Sequence, residues 1–180
     1  MFYHCSPTAG LQILEPRIPA QFDKPRRVYL TTSLPMALLY GIRHFEYTYG
    51  YTKAGQLYFE EYFPNALALL YGGKSASLYL CSPVTTEATS IPNEQVSPEP
   101  VVVLEEHPIP DLLAALLDQE RTGALIIRRY DQMTERDLAW IRDAEADVIR
   151  KRKLTRDPDS PMARFMQTHY PESWAMVLSE

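Results

Sequence analysis

The chain predicts an α+β fold, with a mixed N-terminal part and a helical extension. Three observations carry this. Short apolar runs, the β-branched and aromatic Val28-Tyr29-Leu30-Thr31 and the Leu/Tyr-rich Ser77-Leu78-Tyr79-Leu80-Cys81, are separated by turn signals in the first 107 residues. Beyond Pro108 the apolar residues recur at helical spacing, as in Leu112, Leu113, Leu116 and Leu117. Finally, Pro7, Pro16, Pro19 and Pro25 prevent long regular structure between residues 6 and 27.

Element by element, Phe2 to Cys5 reads as a first strand and Val28 to Thr31 as a second. Thr32 or Ser33 caps a helix whose first turn tolerates Pro35 and whose face is Met36, Leu39, Tyr40 and Arg43. Tyr47 to Gly55 reads as loop and turn, and Gln56 to Tyr62 as a weakly alternating strand. A short helix through Ala66, Leu69 and Leu70 ends at Gly72-Gly73. Ser77 to Cys81 is the clearest central strand. Residues 84–100 read as a Thr/Ser/Pro/Glu-rich loop, and Val101 to Leu104 as a late strand.

In the remainder, Thr122 to Tyr130 is ambiguous between helix and strand. Thr134, with Asp137 three residues on, opens a long helix that runs to about Lys153. Asp157 to Pro161 is a linker, and Phe165, Met166, Tyr170 and Trp174 follow at helical spacings. The expected division is a domain of residues 1–107 and a helical extension of residues 108–180 packed on it.

Composition narrows the function. The net charge is −5, and the one cationic run, Arg150-Lys151-Arg152-Lys153, falls where a helix ends and complements its dipole. Direct nucleic-acid binding is not expected from so small a basic surface. Cys5 and Cys81 are too few for a disulfide framework or a structural zinc site. No charged-then-apolar leader begins the chain, and no apolar run approaches the ~20 residues that span a bilayer. A cytoplasmic protein with no membrane partner is expected. The 12 tyrosines are many for 180 residues, and half-buried tyrosine suits a cleft or an interface as well as a core.

Several chemistries lack their residues. There is no glycine-rich phosphate loop and no G-x-G-x-x-G. The four histidines, His4, His44, His107 and His169, are too scattered for a helical zinc pair. Cys5 and His4, as strand neighbours, point to opposite faces and cannot form a nucleophile pair. What remains is His4 with Ser6 and Tyr29 with Thr31, each pair on one face of an extended strand. An imidazole and a hydroxyl suit a ribose diol, a tyrosine offers a flat surface to a heteroaromatic ring, and a nearby carboxylate would stabilise positive charge at an anomeric carbon.

The segments "FYHCSPTAGLQIL", "RVYLTTSLPMALLY" and "SASLYLCSP" resemble the ADP-ribosyltransferase fold, particularly its small rifampicin-type and tRNA 2′-phosphotransferase-like branches. The resemblance covers about residues 1–105 and leaves the helical tail outside it. It implies a split β-sheet core and NAD as substrate, with nicotinamide released and ADP-ribose passed to an acceptor that is a small molecule, a protein, a nucleic acid or water. It implies that His4 contacts the adenosine-side ribose with Ser6 as the hydroxyl two residues on, and that Tyr29 stacks on nicotinamide beside Thr31. For the acidic residue beside the nicotinamide ribose the choice is Glu94, with Glu60, Glu61 and Glu105 as competitors. The chain departs from the family at Cys5, where glycine is usual; a larger side chain there either narrows the nucleotide site or points into the core. The alternative to an enzyme is a catalytically inactive module of the same fold that binds a partner.

Overall fold

The computed structural model describes residues 1–17, 25–43, 45 and 48–180. Pro19, His44 and Tyr47 of the sequence reading lie outside them. In chain order the strands and helices are β1 (Phe2–Ser6), β2 (Ile13–Leu14), β3 (Val28–Thr31), α1 (Leu34–Leu39), β4 (Tyr49–Tyr51), β5 (Leu57–Glu60) and α2 (Ala66–Tyr71). There follow β6 (Ala76–Cys81), β7 (Glu87–Ala88), β8 (Glu94–Ser97), β9 (Val101–Ile109), α3 (Leu112–Arg121) and β10 (Ile126–Arg128). The C-terminal helices are α4 (Glu135–Lys151), α5 (Pro161–His169) and α6 (Pro171–Leu178). The fold is mixed α+β, with a large antiparallel sheet and several helices.

By compactness the chain forms two units, residues 1–59 with 67–126, and residues 60–66 with 127–180. The expected boundary near residue 107 therefore falls elsewhere. α3 belongs to the first unit because its Leu112 and Leu116 are fully buried there, Leu112 beside Gly41 at the end of α1. Burial of two such leucines stabilises by roughly 3–6 kcal/mol, which outweighs the change in periodicity at Pro108.

The first unit is built on a seven-stranded sheet in the order β2-β9-β6-β1-β3-β8-β7. Sequence order and sheet order differ, so β1 and β6 sit side by side at the centre although β1 starts at Phe2 and β6 at Ala76. β1 pairs with β6 along its whole length, His4 opposite Tyr79 and Cys5 opposite Leu78. With β3 its register is set at one pair, Tyr3 opposite Thr31. β3 in turn pairs with β8 throughout, Tyr29 opposite Val96 and Thr31 opposite Glu94.

Alternation along these strands sorts the side chains. One face carries Val28, Leu30, Tyr79 and Cys81, which form a core with Leu14 and Val101. Residues 8–14 fold over that face. The Tyr79 hydroxyl donates to Thr8 O at 2.6 Å, and Gly10 N–H donates to both Glu106 carboxylate oxygens at 3.1 Å. Hydrogen bonds to its carboxylate, from Ser77 first, then Gly10 N–H and, after an opposing effect of burial, the Tyr79 hydroxyl, hold the Glu106 carboxyl below its usual range. The other face carries Tyr3, Cys5, Tyr29, Thr31 and Glu94, and α1 packs there. Ser33 caps α1 through Met36 N–H, and Tyr71 donates to Leu39 O at 2.9 Å.

Three segments read as loop are strands, among them Glu87–Ala88, which pairs with β8. Residues 94–97 pair with β3, although their Glu-Gln-Val-Ser sequence has little β propensity, because the neighbouring strand offers its whole ladder. Tyr49–Tyr51 pairs with β5 as a hairpin. The Tyr58 ring covers Gly50, and a Cβ there would lie 2.5 Å from its hydroxyl and make the phenol shift. The ambiguous stretch 122–130 divides into the strand β10 and a 3-10 turn at Tyr130–Gln132.

In the second unit, Glu61 N–H donates to Arg128 O, and Glu61 accepts from Tyr130 N–H. α4 begins with the expected capping box, Thr134 and Asp137 each bonding the other's backbone N–H. Phe63 stacks on His169 at 4.1 Å and meets Phe165 and Tyr170 edge-on. Burial, the main influence on it, lowers the pKa of His169.

Candidate functional site

His4, Tyr29 and Glu94 come to lie on three neighbouring strands, β1, β3 and β8. Local sequence explains each position. Thr31 ends β3 by turning its hydroxyl inward, where it accepts Ser33 N–H at 3.0 Å and donates to Met36 Sδ at 3.3 Å. Only 4 % of Thr31 is exposed. Its hydroxyl is thus committed to starting α1.

Glu94 is delivered by the turn that precedes it. Thr89 Oγ1 accepts Ile91 N–H at 3.0 Å, Glu94 N–H donates to Ile91 O, and Asn93 adopts φ of 64°, which asparagine tolerates. Thr89 Oγ1 then donates to Glu94 Oε1 at 2.9 Å. Glu94 is 7 % exposed, so a carboxylate sits beneath the surface with a hydroxyl fixing one oxygen.

Tyr29 lies diagonally from Glu94 on the same face, a placement that brings side chains within reach in a sheet, Cα atoms about 7–8 Å apart. Burial raises the Tyr29 phenol pKa, and the Glu94 charge raises it further, against a lowering by Arg27. Tyr51 responds alike: burial raises its pKa first, and the Glu94 charge adds to that against an Asn93 hydrogen bond. Two phenols therefore share the field of one carboxylate. Such a group can stabilise positive charge developing beside it, while the rings offer flat apolar surfaces.

His4 occupies a different setting. Its Nδ1 lies 3.0 Å from Tyr29 O, so Nδ1 carries the proton and donates, because a carbonyl can only accept. Its ring is on the face of Tyr79, 6.4 Å away, by strand alternation. Burial lowers the His4 pKa, the bond to Tyr29 O opposes this, and the Arg17 charge lowers it further, so the imidazole is neutral with its lone pair on Nε2. Ser6, on the same face as His4, accepts Thr8 N–H at 3.1 Å and holds the turn after β1. The structure thus brings Tyr29, Thr31 and Glu94 together on one face and places the His4 and Ser6 side chains on the other, with His4 tied to β3 only through Tyr29 O.

The competing acids are engaged otherwise. Glu60 pairs with Arg128 at 3.1 Å, Glu61 receives Tyr130 N–H, and exposed Glu105 meets His107 at 3.2 Å. Cys5 is buried, its thiol against Gly41, and burial pushes its pKa up to about 12. That side chain points under α1.

Beside Glu94 is an open cleft of about 380 Å³, lined by Tyr40, Tyr49, Gly50, Tyr51, Ser90, Ile91 and Pro92. Tyr51 donates to Pro92 O at 2.7 Å, and Tyr40 and Tyr49 join through their hydroxyls at 2.6 Å. Sequence reasoning missed these residues as a site. Their signal was present in the density of tyrosine between residues 47 and 51.

Among the described residues no three metal-ligating side chains gather, and no helix is long and apolar enough to cross a membrane. Compared with protein families, curated proteins and solved structures, the chain matches none.

Proposed function

We propose that the first unit cleaves the N-glycosidic bond of NAD and transfers ADP-ribose to an acceptor. One observation carries this reading: Tyr29 stands diagonal to the buried Glu94 on one face of two neighbouring strands. In this reading Tyr29 stacks on nicotinamide. Glu94 stabilises the oxocarbenium-like sugar as the C1–N bond breaks and its electron pair passes to the nicotinamide nitrogen. The His4 and Ser6 side chains lie on the opposite face of the sheet, so His4 acts on this site only through its bond to Tyr29 O. Thr31 acts indirectly, by setting the start of α1.

A second reading is a binding module of the same kind without catalysis. The position of the His4 ring on the face of Tyr79 favours it.

Calorimetry with NAD, run beside an assay for released nicotinamide, separates the two. Glu94→Gln is expected to lower nicotinamide release about 10²–10³-fold while NAD still binds, the scale typical of losing one electrostatic stabiliser. Binding by the wild type without release supports the second reading. Absence of both sinks both readings as far as NAD is concerned.

A further inference from the structure

The tyrosine cleft beside Glu94 has a chemistry of its own. Three half-buried phenol rings, Tyr40, Tyr49 and Tyr51, form its walls with Ile91 and Pro92, and exposed Ser90 stands at its rim. Among the described residues no charged side chain lines it, and Glu94 is not among its walls. Its volume is at the lower end for small-ligand sites, with the usual mixture of aromatic walls and few polar groups.

The cleft is also coupled to the acid. Tyr51 contributes a wall and donates to Pro92 O, two residues before Glu94. The same hydroxyl reaches Met36 Sδ at 3.4 Å, the sulfur that Thr31 holds at 3.3 Å. A ring seated between the tyrosines would therefore lie next to the Glu94 turn.

We propose that this cleft is the acceptor site and that its ligand is a neutral nucleobase. Flat heteroaromatic rings stack on tyrosine faces, and such stacking contributes about 1–3 kcal/mol per base. The word acceptor rests on the transfer reading above; the binding of the base does not. In the transfer, the bond from the sugar carbon to nicotinamide breaks, its pair leaving with nicotinamide. A bond from that carbon to a base nitrogen forms, and the proton of that nitrogen passes to solvent water at the open mouth of the cleft.

The test is a titration of the full chain with adenosine, guanosine, cytidine and thymidine in the absence of NAD, followed by calorimetry or nuclear magnetic resonance. At least one is expected to bind, with Ser90→Trp, which fills the cleft from its exposed rim, and Tyr49→Ala each weakening it about 5-fold or more, the scale of one lost stacking contact. A circular-dichroism melt guards against unfolding of Tyr49→Ala, and Ser90→Trp leaves the three rings in place. No nucleoside binding at 10 mM (roughly the limit for a single stacking contact) overturns the proposal. So does preferential binding of nicotinamide, a methyl glycoside or N-acetylarginine amide. With NAD added, mass spectrometry of the nucleoside should show an ADP-ribose adduct. Release of nicotinamide without adduct from a bound nucleoside overturns the acceptor role. Failure to consume NAD defeats the transfer reading instead, while the titration still decides the cleft.

Discussion

His4 Nδ1 meets the carbonyl oxygen of Tyr29 at 3.0 Å, so a side chain from β1 occupies a backbone group of β3 where the two strands share a single register pair. An imidazole thereby ties the middle strand of the sheet to its neighbour β3. It also fixes its own tautomer, leaving Nε2 as the acceptor.

His4→Leu should remove that donor and leave a half-buried carbonyl unsatisfied, at a cost of about 1–3 kcal/mol in urea unfolding. His4→Asn, whose amide can donate in place of Nδ1, should cost less. The pH dependence follows from the direction of the shift. The folded pKa lies below the unfolded value near 6.5, so the unfolded chain binds more protons as the medium acidifies. The stability associated with neutral His4 is present above about pH 6.5 and is lost as pH falls through it. His169 acts in the same sense, so the check is the difference between wild type and His4→Asn, which should narrow below pH 6.5.

Tyr51→Phe should loosen the turn that carries Glu94. The lost bond to Pro92 O is worth about 0.5–1.5 kcal/mol. Amide exchange at residues 91–94 should quicken while that of β6 stays unchanged. Equal exchange in both proteins would show that the turn stands without the phenol.

Gly41→Ala should destabilise by about 1–3 kcal/mol, as overpacking does. The new Cβ would lie 2.9 Å from Leu112 Cδ2, 3.0 Å from Cys5 Sγ and 3.0 Å from Leu38 O. Shortening Cys5 to alanine removes one of these clashes, so the double variant should lose less than the sum of the singles. Additive losses in denaturation would mean the thiol does not press on that position. Burial pushes the thiols of Cys5 and Cys81 up to about 12 and about 11, so neither should alkylate at pH 8 in the folded protein.

Thr134→Ala should cost about 0.5–2 kcal/mol in the unfolding of the second unit, since it removes the cap on Asp137 N–H and the partner that holds the Asp137 carboxyl low. Serine at the same position should restore most of the loss. The readout is thermal unfolding followed at 222 nm, a wavelength set by helix absorbance and about independent of the aromatic cluster.

The elements whose evidence is local were legible in the sequence. Val28–Thr31 announces itself by a β-branched and aromatic run, Ala76–Cys81 by a Leu/Tyr-rich one, and α3 and α4 by apolar period and caps, because those signals act within a few residues. Glu94–Ser97 was not legible as a strand. Nothing in Glu-Gln-Val-Ser favours one, and it exists because β3 presents unpaired backbone groups to it from more than 60 residues away. The same holds for the domain boundary, which the burial of Leu112 and Leu116 moved, and for the face on which the His4 ring lies, which the register with β6 decided. Composition and spacing determined which groups are available: a histidine, a tyrosine, an acid and a surplus of phenols. Only strand order and register decided which of them meet, because a one-residue change of pairing sends every side chain to the opposite face.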